Sequence, residues 1–133
     1  MIEISSDKSK LDIDIIHNFL TNAYWSKGRT RKEVEKSIKH CLCFGVYKEN
    51  MQIGFARIAT DYVVFAYLMD VFILPEHRGH GYSKKLIEAI NNCDQLKSCK
   101  VWMLKTSDAH NLYKRFGYKE LSYPDKVMER ILK

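Results

Sequence analysis

The chain has 133 residues, with 22 lysines and arginines against 16 acidic residues and a formal charge of +6 at neutral pH. That length fits one domain, residues 1–133, and leaves no room for a second independent core. With 46% hydrophobic and 29% charged residues it is composed like a globular protein, which excludes a disordered chain, and no apolar run approaches the roughly 18 residues of a membrane span.

The N-terminus lacks a basic start followed by an apolar core, so a cytoplasmic protein with no membrane partner is expected. Residues 2–4 suit a short opening strand. Residues 11–24 place Ile15, Ile16, Phe19, Leu20 and Ala23 at helical spacing. Gly28 breaks that pattern, and Thr30 followed by Glu33 three residues later reads as the cap of a second helix carrying Val34 and Ile38.

From Cys41 the period shortens. Residues 41–47 and 53–59 are β-rich runs separated by the polar turn Lys48-Glu49-Asn50, a hairpin. Residues 65–74 are apolar on both alternating faces except at Asp70, which predicts a strand in the sheet interior and marks Asp70 as needing an explanation. Pro75 ends that strand, residues 78–81 form a glycine-containing turn, and Leu86, Ile87, Ala89, Ile90 and Cys93 define the buried face of a helix starting near Ser83. Residues 100–104 read as a further strand, 107–115 as a short helix stopped by Gly117, and 126–132 as a final strand after Pro124-Asp125.

The cysteines at 41, 43, 93 and 99 match neither a paired C-x-x-C zinc framework nor a disulfide scaffold, so reduced, mostly buried thiols and no metal are expected. The positive charge would attract a phosphate-bearing ligand, and a soluble surface that happens to be basic accounts for it equally well. The basic residues are scattered and no recognition motif accompanies them, which argues against nucleic acid.

A strand feeding a glycine-containing turn that opens a helix makes an anion site, because the first helical N–H groups lack partners and the dipole is positive there. Gly79 and Gly81 would let a ligand approach the backbone closely. The turn is neither a Walker loop nor a dinucleotide fingerprint, since both require glycines and flanking residues that this chain lacks.

The string Asp70-Val71-Phe72-Ile73-Leu74-Pro75-Glu76-His77-Arg78-Gly79-His80-Gly81-Tyr82-Ser83 resembles the acyl-CoA signature of the GNAT superfamily, Q/R-x-x-G-x-G/A after a strand ending in proline. Arg78 and Gly81 match directly, and Ser83 stands where glycine or alanine is usual. Residues 106–118 are similar to a second family segment, A-x-x-L-Y-x-x-x-G-F/Y, through Ala109, Leu112, Tyr113, Gly117 and Tyr118, with Thr106 where many members have asparagine. The two segments together cover about residues 65–118.

The resemblance implies an α+β fold with a mixed, largely antiparallel sheet flanked by helices, and acetyl-CoA as co-substrate. It implies that Phe72 and Ile73 supply strand contacts to the cofactor, that Arg78, Gly79, His80, Gly81, Tyr82 and Ser83 form the pyrophosphate cradle, and that Thr106, His110 and Tyr113 lie beside it. The implied activity is transfer of an acetyl group to a primary amine of a small molecule or protein, by direct attack in a ternary complex. A non-catalytic acyl-CoA sensor is the alternative, and an RNA-associated or ribosomal-protein acetyltransferase ranks below a small-molecule amine acceptor.

Tyr113 matches the family's general acid, and a core aromatic at helical spacing from Phe116 is the other reading. An unpaired strand amide near Ile73 would take the oxyanion role. Asp70 is the strongest candidate base, equally a structural aspartate, with Asp61 and His110 behind it. Tyr24, Trp25 and Arg29 would line the acceptor pocket. A monomer or homodimer fits the chain.

Overall fold

The computed structural model describes residues 1–132. Five strands form one sheet in the order of the chain: β1 (Ile2–Ser5), β2 (Leu42–Lys48), β3 (Met51–Thr60), β4 (Phe65–Ile73) and β5 (Val101–Leu104). Every neighbouring pair is antiparallel except β4 and β5, which run parallel. The hairpin between β2 and β3 closes through Glu49 and Asn50, both with positive φ. Two successive left-handed residues give the twist that antiparallel strands need.

Parallel neighbours require a crossover, and helix α3 (Tyr82–Asn91) supplies it. It lies on one face of the sheet, where Leu86, Ile87 and Ile90 meet Leu42, Phe44, Val46 and Ile58. Helices α1 (Ile13–Asn22) and α2 (Arg31–His40) cover the other face, Ile16, Leu20, Val34 and Ile38 packing on Cys43, Phe55 and Phe72. The sheet therefore has an apolar core on each side, which explains why β4 is apolar on both alternating faces. The α+β, mixed and largely antiparallel architecture is the one implied by the sequence.

Local chemistry sets the helix limits. Asp12 caps α1 by accepting from the Ile15 amide, so the helix is shorter at both ends than residues 11–24. Thr30 and Glu33 form the reciprocal capping box expected of them at the start of α2. The four cysteines are free, three of them buried.

Two expectations need correction. The helix predicted over residues 107–115 is only α4 (His110–Lys114), because Thr106 Oγ1 accepts from the Ala109 amide and holds the preceding residues in a bend. The final strand predicted over 126–132 is not formed: residues 124–126 make a short 3-10 turn and 127–132 pair with no strand.

Candidate functional site

The site begins with a defect in β4. Phe72 lies opposite Phe55 and Met69 opposite Arg57, so Asp70 and Val71 together face the single residue Ala56. This is a β-bulge, and Asp70 occupies it with φ of 54°, a left-handed conformation that aspartate tolerates better than most residues. The bulge bends β4. Only Phe65 to Leu68 pair with β5, so from Met69 onward the edge that faced β5 has no strand beside it. Because the Leu74 amide donates to Ile53 and Phe72 pairs with Phe55, alternation turns the N–H groups of Val71 and Ile73 toward this open side.

At the far end of the opening lies the glycine turn. Gly79 and Gly81 both have positive φ, and nothing lies within 4 Å of where a Cβ would stand on either. Helix α3 has no side-chain cap, and its first backbone bond runs from Lys85 to Gly81. Six consecutive amides, residues 79–84, thus have no acceptor among the described residues. No acidic residue sits in the first turn of α3, where Lys84 and Lys85 do. An open, unobstructed row of donors at a helix N-terminus fits a pyrophosphate.

The structure divides the other predicted contacts. The Arg78 Nε donates to the Ile73 carbonyl at 2.9 Å, so this side chain ties the turn to the strand end. Phe72 is buried with its ring stacked on Phe19 at 4.0 Å, which leaves only its backbone for a ligand. His80 and Tyr82 lie side by side, ring centroids 5.5 Å apart, and Ser83 stands in the first turn of α3.

At the near end, Tyr24, Trp25, Arg29, Asp70, Thr106 and Tyr113 line one cavity of about 280 Å³, with Tyr67, Lys105 and Asp108. The Tyr24 hydroxyl and Ser107 Oγ meet at 2.5 Å and join the α1–α2 connection to the loop after β5. An adjoining cavity of about 430 Å³ is lined by Tyr113, His110, Thr106 and Tyr118. Tyr113 borders both, and its hydroxyl has no hydrogen-bond partner among the described residues.

Burial pushes the Tyr113 phenol up to about 12, with Asp108 adding to the shift. Burial likewise pushes Tyr47 and Tyr118 up to about 12. An unfolded chain releases phenolic protons near pH 10, so the unfolded state loses its protons first and gains on the folded one between about pH 10 and 12. The buried Cys43 thiol, also pushed up to about 12, adds the same loss from about pH 8.5 upward, so the melting temperature is expected to begin falling near pH 9 and to fall more steeply above pH 10. Thermal melts alongside tyrosinate absorbance at each pH check this.

Asp70 accepts three side-chain hydrogen bonds, two of them from arginines. Its Oδ2 accepts from Arg29 Nη1 at 2.6 Å and Arg57 Nε at 2.8 Å, and its Oδ1 from the Trp25 indole at 3.0 Å. The carboxylate is 1% exposed and the two arginine side chains 20% and 11%. Two guanidinium groups and an indole already occupy both carboxylate oxygens, so the geometry fits a clamp holding the α1–α2 connection over the sheet better than a base. Asp70→Asn leaves Arg57 buried without its counter-charge, and a loss of about 3 kcal/mol in unfolding free energy is expected by denaturant titration. The α1–α2 connection should loosen with it.

Asp61 also has a structural task, its Oδ1 accepting from the amides of Val63, Val64 and Phe65 in the β3–β4 turn. These bonds hold its carboxyl below the usual range, the Val63 amide contributing most. His110 is exposed at the start of α4. Arg57 was missed from sequence, although it is the one charged residue of β3, the strand beside the one carrying Asp70. Pairing the two needs the register that the bulge sets.

No group of three or more His, Cys, Asp or Glu side chains able to hold a metal occurs among the described residues, and no helix there is long and apolar enough to cross a membrane.

Against known proteins, residues 39–120 match the acetyltransferase (GNAT) domain. A Gibberella zeae protein provisionally classed as an acetyltransferase is 28% identical over 141 residues, covering 88% of this chain and 78% of its own. A crystal structure from Xanthomonas campestris pv. campestris, assigned to an acetyltransferase of the GNAT family, is 44% identical with a TM-score of 0.97, over 99% of this chain and 94% of that one. A Clostridium acetobutylicum structure described with acetyl-CoA shares the fold at 17% identity and a TM-score of 0.73, over 98% and 96% of the two chains. The domain match spans most of the chain and takes in both motifs, and with the structural likeness it shows that this protein belongs to the GNAT family of acetyltransferases.

Proposed function

We propose that the protein transfers the acetyl group of acetyl-CoA to a primary amine by direct attack in a ternary complex. The observation that carries this reading is the open edge of β4 beyond Met69, which leads to a turn with six unpaired amides and is flanked at Asp70 and Val71 by the cavity that the unpartnered Tyr113 phenol borders. The likeness to a structure described with acetyl-CoA supports the same use of the opening.

Acetyl-CoA would bring the activated acyl group, and the chain's own residues do the rest. The amides of residues 79–84 hold the diphosphate, with Lys84 and Lys85 adding positive charge. The Val71 and Ile73 N–H groups, left free by the bulge, steady the pantetheine arm and polarise the acyl carbonyl. Tyr113 would donate its proton to the departing thiolate and recover one, directly or through water, from the amine nitrogen as the amide forms, and its high pKa keeps the phenol protonated between turnovers. Asp70 acts through others: it fixes Arg29 and Trp25 as the wall against which the amine is positioned.

A covalent acetyl-enzyme finds no support, because no cysteine lines either cavity at Tyr113 and burial pushes the Cys43 thiol up to about 12. Initial velocities of CoA release, measured against both substrates over a panel of polyamines, amino acids and lysine peptides, test the proposal. Amine-dependent release with intersecting double-reciprocal lines is expected. Parallel lines would overturn direct transfer, and tight cofactor binding without release for any amine would favour the sensor.

A further inference from the structure

We infer, resting on the acetyl transfer proposed above, that the acceptor is a free amino acid, its carboxylate taken by Arg29 and its amine held between Asp108 and Tyr113. A guanidinium carries five N–H donors in a planar fork, and Arg29 spends one of them, on Asp70. The other four meet no acceptor among the described residues, although the side chain is only 20% exposed and lines the cavity of about 280 Å³. A largely buried set of donors that the fold leaves unused calls for an acceptor from outside.

Charge points the same way. Arg29 and Arg57 both pair with Asp70, so two guanidinium charges against one carboxylate leave the cluster with one positive charge. Glu33, a carboxylate that feels Arg29, is spent on the Thr30 amide in the capping box. Lys105 also lines the cavity, but it is 71% exposed and paired with Glu129. One positive charge on an open planar fork matches one carboxylate in both charge and shape. Because Asp70 already holds the guanidinium in place, little freedom is lost when the ligand arrives.

The opposite pole is on the same cavity. Asp108 is exposed and makes no hydrogen bond or ion pair among the described residues, and its charge acts on the Tyr113 phenol. An ammonium drawn to Asp108 therefore stands next to the proton donor. It releases one proton to solvent, and its lone pair forms the N–C bond as the C–S bond breaks. The thiolate takes the Tyr113 proton, and the surplus proton on nitrogen returns to Tyr113 directly or through water. Met69 and Leu104 give the side chain an apolar bed. The cavity lies just below the roughly 300–1,000 Å³ of pockets for drug-sized ligands, which suits a small metabolite. A lysine side chain brings no carboxylate to Arg29, and a polyamine brings a like charge.

Initial velocities of CoA release test this with the free amino acids, each matched against its C-terminal amide, which keeps the amine and loses the carboxylate charge. The wild type and Arg29→Gln are compared, so that the difference in basicity between the two amines cancels. The preference in kcat/KM for acid over amide is expected to fall at least about tenfold in Arg29→Gln, through KM for the amino acid and with KM for acetyl-CoA unchanged. Should Arg29→Gln not fold, Arg29→Lys keeps the charge beside Asp70, loses the fork and carries the same comparison. Asp108→Asn should lower kcat/KM for acid and amide alike, since both present the amine. An acid-to-amide preference that neither Arg29 variant moves overturns the inference and leaves acetyl transfer standing, as does CoA release with polyamines or lysine peptides and with no amino acid. Release with no amine at all overturns both.

Discussion

Gly81→Glu is expected to lower the affinity for acetyl-CoA by about 100-fold or more while leaving the protein folded. Gly81 has φ of 79° at the N-cap of α3, where any other residue pays about 1–2 kcal/mol of backbone strain. That strain is small against the stability of an ordinary domain. Nothing stands within 4 Å of the added Cβ, so the core is undisturbed and the glutamate projects into the space over the amides of residues 79–84. There it would occupy the position proposed for the diphosphate and oppose its charge, and a loss of about 2.7 kcal/mol in binding is what 100-fold means. Calorimetry reads the affinity and a thermal melt the fold. Unchanged affinity would remove the turn from the site.

Tyr113→Phe separates chemistry from packing. Phenylalanine keeps the ring that packs edge-on against Tyr118 at 5.7 Å and removes only the hydroxyl that faces the two cavities. A proton donor to the leaving group contributes about 10²- to 10⁴-fold, so kcat is expected to fall by about 10³. The KM for acetyl-CoA should change by no more than about twofold, since a contact made in the transition state alone leaves ground-state binding intact. If Tyr113 were only a core aromatic, kcat would be unmoved.

Local signals in the sequence carried through where the structure is local. Thr30 and Glu33 cap α2 as their spacing required, and the polar break at Glu49-Asn50 closes the hairpin. Asp70 stood out as a charge in an apolar strand, yet its partners come from 41 and 13 residues away, and no periodicity reports such a pairing. Arg78 matched the motif at the right position, but its guanidinium is spent on the Ile73 carbonyl, a choice made by the turn's shape. The helix expected over 107–115 is shorter because Thr106 and Ser107 spend their hydroxyls on Ala109 and Tyr24, holding the chain out of helix. The last strand failed for a different reason. Residues 126–132 have strand composition, but a strand exists only where an edge pairs with it, and residues 127–132 pair with none.

The measurement that bears most directly on the account is amide hydrogen exchange at residues 79–84 with and without acetyl-CoA. These six N–H groups have no acceptor within the described protein, so they should exchange fast in the free chain. Saturating acetyl-CoA is predicted to slow them by at least about tenfold while the amides of the β1–β2 pair remain unchanged. Exchange at 79–84 that stays fast under saturating cofactor would contradict the account.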